Sequence, residues 1–77
     1  MGKYNGHKNW NHWNVSLWIN NDEGLYRQAL CHVAWNKGDK ARAAQDMYTE
    51  LLGDGPHETP DGAPYSVSSI RAAMVGM

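Results

Sequence analysis

The stretch NWNHWNVSLWINNDEGLY, Asn9 to Tyr26, decides the fold because it fits two periodicities at once. As a helix, Trp10, Trp13, Asn14, Leu17, Trp18 and Asn21 recur at i, i+3, i+4 and i+7 spacing. As a strand, Trp13, Val15, Leu17 and Ile19 alternate with Asn14, Ser16, Trp18 and Asn20. The helix template explains more. Trp10 and Trp13 share its stripe but cannot share one strand face, Asn9 is placed to cap its start, and Asn20 and Asn21 suit a helix end. The reading is a helix over residues 10–20.

Outward from that stretch the pattern stays helical. Asn21 or Asp22 is placed to cap a second helix over 22–36, and Glu23 suits its positive end. Leu25, Tyr26, Ala29, Leu30 and Val33 form its apolar stripe. Lys37-Gly38-Asp39 reads as a tight corner, with Gly38 at the C′ position and Asp39 as the next N-cap. Ala43, Ala44, Met47, Tyr48, Leu51 and Leu52 mark a third helix over 39–52, which Gly53 ends. GDGPHETPDGAP, residues 53–64, holds all three prolines and reads as a loop with a turn at Pro60-Asp61-Gly62. Ser66 caps a short helix over 66–75 in which Val67, Ile70, Arg71 and Met74 fall on or beside one face. The expected architecture is a single all-α domain spanning residues 1–77, a bundle of three to four short helices.

A chain of 77 residues buries only about 60% of its unfolded surface, so its core must be dense. With one cysteine, Cys31, it has no intramolecular disulfide. The four Trp, four Tyr and four Met are therefore the expected core, and a homodimer is the other way to gain burial. Cys31 is expected on an inward helix face as a small hydrophobe. Asn11 and Asn14 disfavour a helix interior, so their place beside tryptophans predicts a hydrogen-bond network that includes an indole N–H.

Several function classes find no support. Met1-Gly2-Lys3-Tyr4-Asn5-Gly6 lacks the apolar run expected of a secretory signal, no apolar run is long enough to span a bilayer, and position 6 is not the Ser or Thr that a myristoylation motif needs. Asn14-Val15-Ser16 matches a glycosylation acceptor that has no meaning without a secretory route, and the expected compartment is the cytoplasm. His7 and His12 lie five apart, Cys31 and His32 are adjacent, and His57 sits in the loop; no zinc template or cofactor motif is met. Asp22 and Glu23 read as a helix start, Ser66, Ser68 and Ser69 as cap and surface residues, and Gly53-Asp54-Gly55-Pro56 lacks the Lys and Ser/Thr of a phosphate loop. No enzymatic activity is expected.

The net charge of −1 hides an asymmetry. Residues 1–42 carry +3, residues 43–70 carry −5 with no Lys or Arg, and Arg71 adds +1. Trp10 and Trp13 with Lys3, Lys8 and Arg27 give one way to contact nucleic acid by stacking and phosphate pairing. The slightly acidic whole argues against direct contact.

YNGHKNWNHWNVSLWINNDEGLY, residues 4–26, together with TPDGAPYS, residues 59–66, resembles a group of small, largely uncharacterised proteins of phages and other mobile elements. The shared pattern is Tyr4-Asn5-Gly6 and Trp13-Asn14-Val15-x-Leu17-Trp18-Ile19-x-Asn21-Asp22-Glu23-x-Leu25-Tyr26. Proteins of this kind resemble anti-CRISPR inhibitors of host defence. The resemblance implies an inhibitor in the cytoplasm of an infected bacterium, as monomer or homodimer, whose partner is a type I CRISPR effector complex. Such complexes hold nucleic acid in basic channels, which an acidic face can occupy in place of phosphates. The residues expected at that contact are Asp46, Glu50, Asp54, Glu58, Asp61 and Tyr48. The alternative is a nucleic-acid-binding accessory protein using the Trp and basic residues of the N-terminal half.

Overall fold

The computed structural model describes residues 7–55 and 57–77, the side chain of Asp54 apart. These residues form four helices and no strand: α1 Trp10–Asn21, α2 Glu23–Trp35, α3 Lys40–Asp54 and α4 Val67–Ala73. One isolated antiparallel bridge joins Glu58 to Pro64. The helix reading of residues 10–20 holds, and the all-α bundle with it.

Each helix starts where a short polar side chain frees the backbone from the preceding segment. Asn9 Oδ1 accepts the His12 N–H at 3.0 Å, Asp22 Oδ1 the Leu25 N–H at 3.0 Å, and Asp39 Oδ1 the Arg42 N–H at 3.2 Å. Ser66 and Ser69 make a reciprocal capping box at the head of α4. Asp22 also ends α1, its N–H donating to the Trp18 carbonyl at 2.9 Å, so a single residue turns the chain from one helix into the next. Tyr65 is buried beside this corner. Burial raises its phenol above its ordinary pKa, and the Asp22 charge adds to the effect.

Two helix ends differ from expectation. Lys37, not Gly38, is the C′ residue of α2. Its N–H donates to Ala34 and that of Gly38 to Val33, the paired bonds of a Schellman motif, and both residues have positive φ. α3 runs through Gly53 and stops at Gly55, where a Cβ would stand 2.8 Å from Leu51 Cδ2.

The helices close into a ring in which α1 packs on α2 and α4, and α3 packs on the same two neighbours, so α1 and α3 do not meet. The core between them is Val15, Ile19, Ala29, Val33, Ala43, Ala44, Met47, Leu51, Ala63, Tyr65, Ile70, Ala73 and Met74. No tryptophan belongs to it. Trp10 is 38% exposed, Trp35 is 85% exposed, and Trp13 and Trp18 are half-buried. The expectation of a tryptophan core is therefore overturned. Five alanines at the interior allow the backbones to approach closely, and a space closed by small side chains has no room for an indole.

The inward face of α1 is set by Val15 and Ile19, with Asn14 beside them. At 100° per residue, Trp10, Trp13 and Leu17 lie on the far side of the helix from Val15. Cys31 is likewise exposed rather than inward, because it stands two residues, about 200°, from both Ala29 and Val33. Tyr26, Leu30 and Leu52, expected in apolar stripes, sit at the outer edges of theirs and are exposed.

Candidate functional site

α2 and α3 diverge at their outer edge to leave a groove of about 400 Å³, lined by Gln28, Cys31, His32, Trp35, Asp46 and Glu50. The α2 residues line one wall because 28, 31, 32 and 35 share a helical face, and Asp46 and Glu50, four apart, line the other. Glu50 Oε1 accepts hydrogen bonds from Gln28 Nε2 and, at 3.2 Å, pairs with His32 Nε2. Asp46 Oδ2 accepts from Asn36 Nδ2 at 3.0 Å. Both carboxylates are thus held by Gln, His and Asn side chains. Among the described residues neither is paired with a Lys or Arg. Trp35 closes the groove, its indole almost wholly in solvent.

A second polar cluster sits where α1 meets the 57–65 loop. Asn14, 1% exposed, donates from Nδ2 to Asp61 Oδ2 at 2.9 Å and accepts from Thr59 Oγ1 at 2.5 Å. Trp18 Nε1 donates to the same Asp61 oxygen at 3.0 Å, and the Ala63 N–H donates to Thr59 Oγ1 at 3.0 Å. The turn expected at Pro60-Asp61-Gly62 is present, with the Gly62 N–H on the Thr59 carbonyl at 2.8 Å and Gly62 at φ 93°. It aims Asp61 at α1. The two donors, Asn14 first and Trp18 second, hold the Asp61 carboxyl below its ordinary pKa. The expected Asn–indole network therefore exists at Asn14. Asn11 is exposed and takes no part in it.

The residues expected to meet a partner thus separate. Asp46 and Glu50 share the α2–α3 groove. Asp61 is committed to α1, Glu58 is exposed in the loop, and Tyr48 is half-buried against the core instead of standing with the acids. The Asp54 side chain lies outside the described residues, as do Lys3 and Tyr4-Asn5-Gly6. The turn at Pro60-Asp61-Gly62 carries Asp61 to α1, apart from the groove that Asp46 and Glu50 line.

The stretches that carry the sequence resemblance, residues 13–26 and 59–66, are brought together by the Asn14–Asp61 contact. The family model of DUF7249, described as a family of unknown function, matches residues 1–77. The chain belongs to this family. Comparison with curated proteins and with solved structures finds no match. In this DUF7249 member the two stretches have structural work, fastening the loop to α1 and capping α2.

Sequence reasoning missed three features of this family member. Trp35, Gln28 and His32 join the acids in the groove. The signal for Trp35 was available, since it stands two residues past inward Val33 and so on the opposite side of α2. A wider cleft of about 520 Å³ between α1 and α4 gathers His7, Lys8 and His12 with Ser16 and Asn20. Beside it, His12 Nε2 and Ser68 Oγ stand 3.0 Å apart, a contact across 56 residues that no spacing rule reaches. Burial, then the charges of Lys8 and His7, lower the His12 pKa. Ser69, expected at the surface, is fully buried within the capping box. Among the described residues no three His, Cys, Asp or Glu side chains group to hold a metal. No described helix is long and apolar enough to cross a membrane.

Proposed function

We propose that this chain is a non-enzymatic inhibitor that engages a bacterial CRISPR effector, of type I, through the α2–α3 groove and so blocks target DNA binding. The supporting observation is the groove itself. It sets an indole 85% exposed beside two carboxylates without a Lys or Arg partner among the described residues. Exposed aromatics backed by fixed charge are what a protein interface uses as anchors. The choice of partner rests on the resemblance to phage-encoded inhibitors, and on the fit of carboxylates to a basic channel.

The test is a plaque assay in a host whose CRISPR system targets the infecting phage. The native chain is expected to restore plaques. The Asp46→Lys/Glu50→Lys variant is expected to return them to the level seen without the protein. Its helical signal should be kept and its stability should change by no more than about 1 kcal/mol, because both side chains are exposed. Unchanged inhibition by the variant removes the groove from the mechanism. No inhibition by the native chain removes the CRISPR partner.

A second reading, a nucleic-acid-binding accessory protein, draws on the cleft that gathers His7, Lys8 and His12, and on exposed Trp10 near its mouth in sequence. Arg27 does not join them; it stands on α2, paired with Glu23 at 3.3 Å. This reading expects a salt-sensitive shift of DNA in a gel, with the log–log salt slope lowered by about 1 in Lys8→Glu. The absence of a shift at low salt would dismiss it.

A further inference from the structure

We infer that the α2–α3 groove takes an arginine side chain from a protein partner, with the guanidinium stacked on Trp35 and held by Asp46 and Glu50. The inference rests on the groove being the contact surface, and adds what fills it.

Three observations select the occupant. The first is charge. Two carboxylates line the groove with no Lys or Arg among its lining residues, so it is complementary to a cation and repels phosphate. The second is the state of the carboxylates. Among the described residues, Gln28 and His32 both bond Oε1 of Glu50 and leave Oε2 for a ligand, and Asn36 bonds Oδ2 of Asp46 and leaves Oδ1. The acids are thus oriented by neighbours while each keeps an oxygen without a partner among the described residues. The third is Trp35, whose exposed indole forms the remaining wall.

A guanidinium meets all three conditions. It is planar, it stacks on an indole face, and its fork of N–H donors matches carboxylate oxygens. An ammonium is a more strongly hydrated point charge and uses only part of the wall. A purely apolar side chain would cover Trp35 but strip water from two carboxylates without replacing it.

The experiment titrates the full chain, labelled for amide NMR, with a capped Gly-Arg-Arg-Arg-Gly peptide. Matched lysine and citrulline peptides serve as comparisons. Saturable shifts centred on the amides of Cys31, Trp35 and Glu50 are expected with the arginine peptide. The lysine peptide should bind several-fold more weakly and the citrulline peptide at least about tenfold more weakly. Trp35→Leu, which keeps an apolar wall but removes the π face, should weaken arginine binding about fivefold, and Asp46→Asn/Glu50→Gln about tenfold.

Equal binding of citrulline or lysine overturns the inference, as does binding indifferent to both variants, or no shift with any peptide. Movement of the same amides on raising protein concentration alone would assign the groove to a second copy and overturn it too. Suppose the peptides fail while Asp46→Lys/Glu50→Lys still loses the partner in cells. Then only the arginine assignment falls. If both fail, the groove reading falls with it.

Discussion

Asn14→Ala is expected to lower the free energy of unfolding by about 3 kcal/mol, most of what a single side chain can cost a chain of this size. Asn14 is buried and reaches across from α1 to the 57–65 loop with both ends of its amide. Its Nδ2 holds Asp61 and its Oδ1 holds the Thr59 hydroxyl, which in turn receives the Ala63 N–H. Truncation leaves a cavity and takes the acceptor from the buried Thr59 O–H, and an unpaired buried donor costs about 1–3 kcal/mol by itself. The loop also carries Ala63 and Tyr65 into the core, so its release loosens packing beyond the network. A thermal melt should show a fall of about 15 °C. A change of less than about 1 kcal/mol would mean that the loop is held by its apolar contacts alone.

The same network fixes the sign of the acid response. Because the hydrogen bonds from Asn14 and Trp18 lower the folded-state pKa of Asp61, its contribution is fully present above the ordinary aspartate value, 3.8. The contribution is lost as pH falls through the lower, folded value. Asn14→Asp sets a second carboxylate against the first and should invert the trend. That variant should be poorly stable near neutrality and should recover, relative to the native chain, as acid neutralises the pair. Parallel pH profiles for the two proteins would contradict the proposed geometry.

The second large effect concerns which apolar residues hold the fold. Ile19→Ala should cost about 3 kcal/mol, while Trp35→Ala should stay within about 0.5 kcal/mol of the native chain. Ile19 is fully enclosed at the centre of the ring, and removing three carbons there opens a cavity that the helices cannot collapse into. Trp35, whose indole has three times as many atoms as Ile19 loses, touches little of the protein and gives up little on folding. Urea titrations of the two variants side by side measure the contrast. A Trp35 variant as unstable as the Ile19 variant would restore the tryptophan core that composition suggested.

That inversion shows where sequence reading stops. α2, α3 and α4 each carry one apolar stripe, and their inward residues, Ala29 and Val33, Ala43, Ala44, Met47 and Leu51, Ile70 and Met74, were legible from spacing. α1 is different because indoles and aliphatic residues occur on more than one side of it, and the stripe read from spacing, Trp10, Trp13, Leu17 and Trp18, is not the face that Val15 and Ile19 bury. The face is chosen by what the neighbours leave room for, and neighbours lined with alanine accept Val15 and Ile19 in preference to Trp10 and Trp13. The candidate site was legible by halves. Asp46 and Glu50 share one face of α3 by their spacing, whereas the wall opposite them belongs to another helix and depends on how α2 lies on α3.

By itself, then, the sequence determined the local chemistry. Asn9, Asp22, Asp39 and Ser66 start four helices by capping free N–H groups, and Pro60-Asp61-Gly62 makes the turn. These outcomes depend on residues within a few positions of one another, where side-chain reach and backbone sterics suffice. Only the tertiary structure decided that Asp61 leaves the acidic set to bind Asn14 and Trp18. Only the tertiary structure put Trp35 beside Asp46 and Glu50, and kept every tryptophan out of the core. Each of those outcomes depends on the distance between helices, which close packing of the whole chain sets and no short stretch encodes.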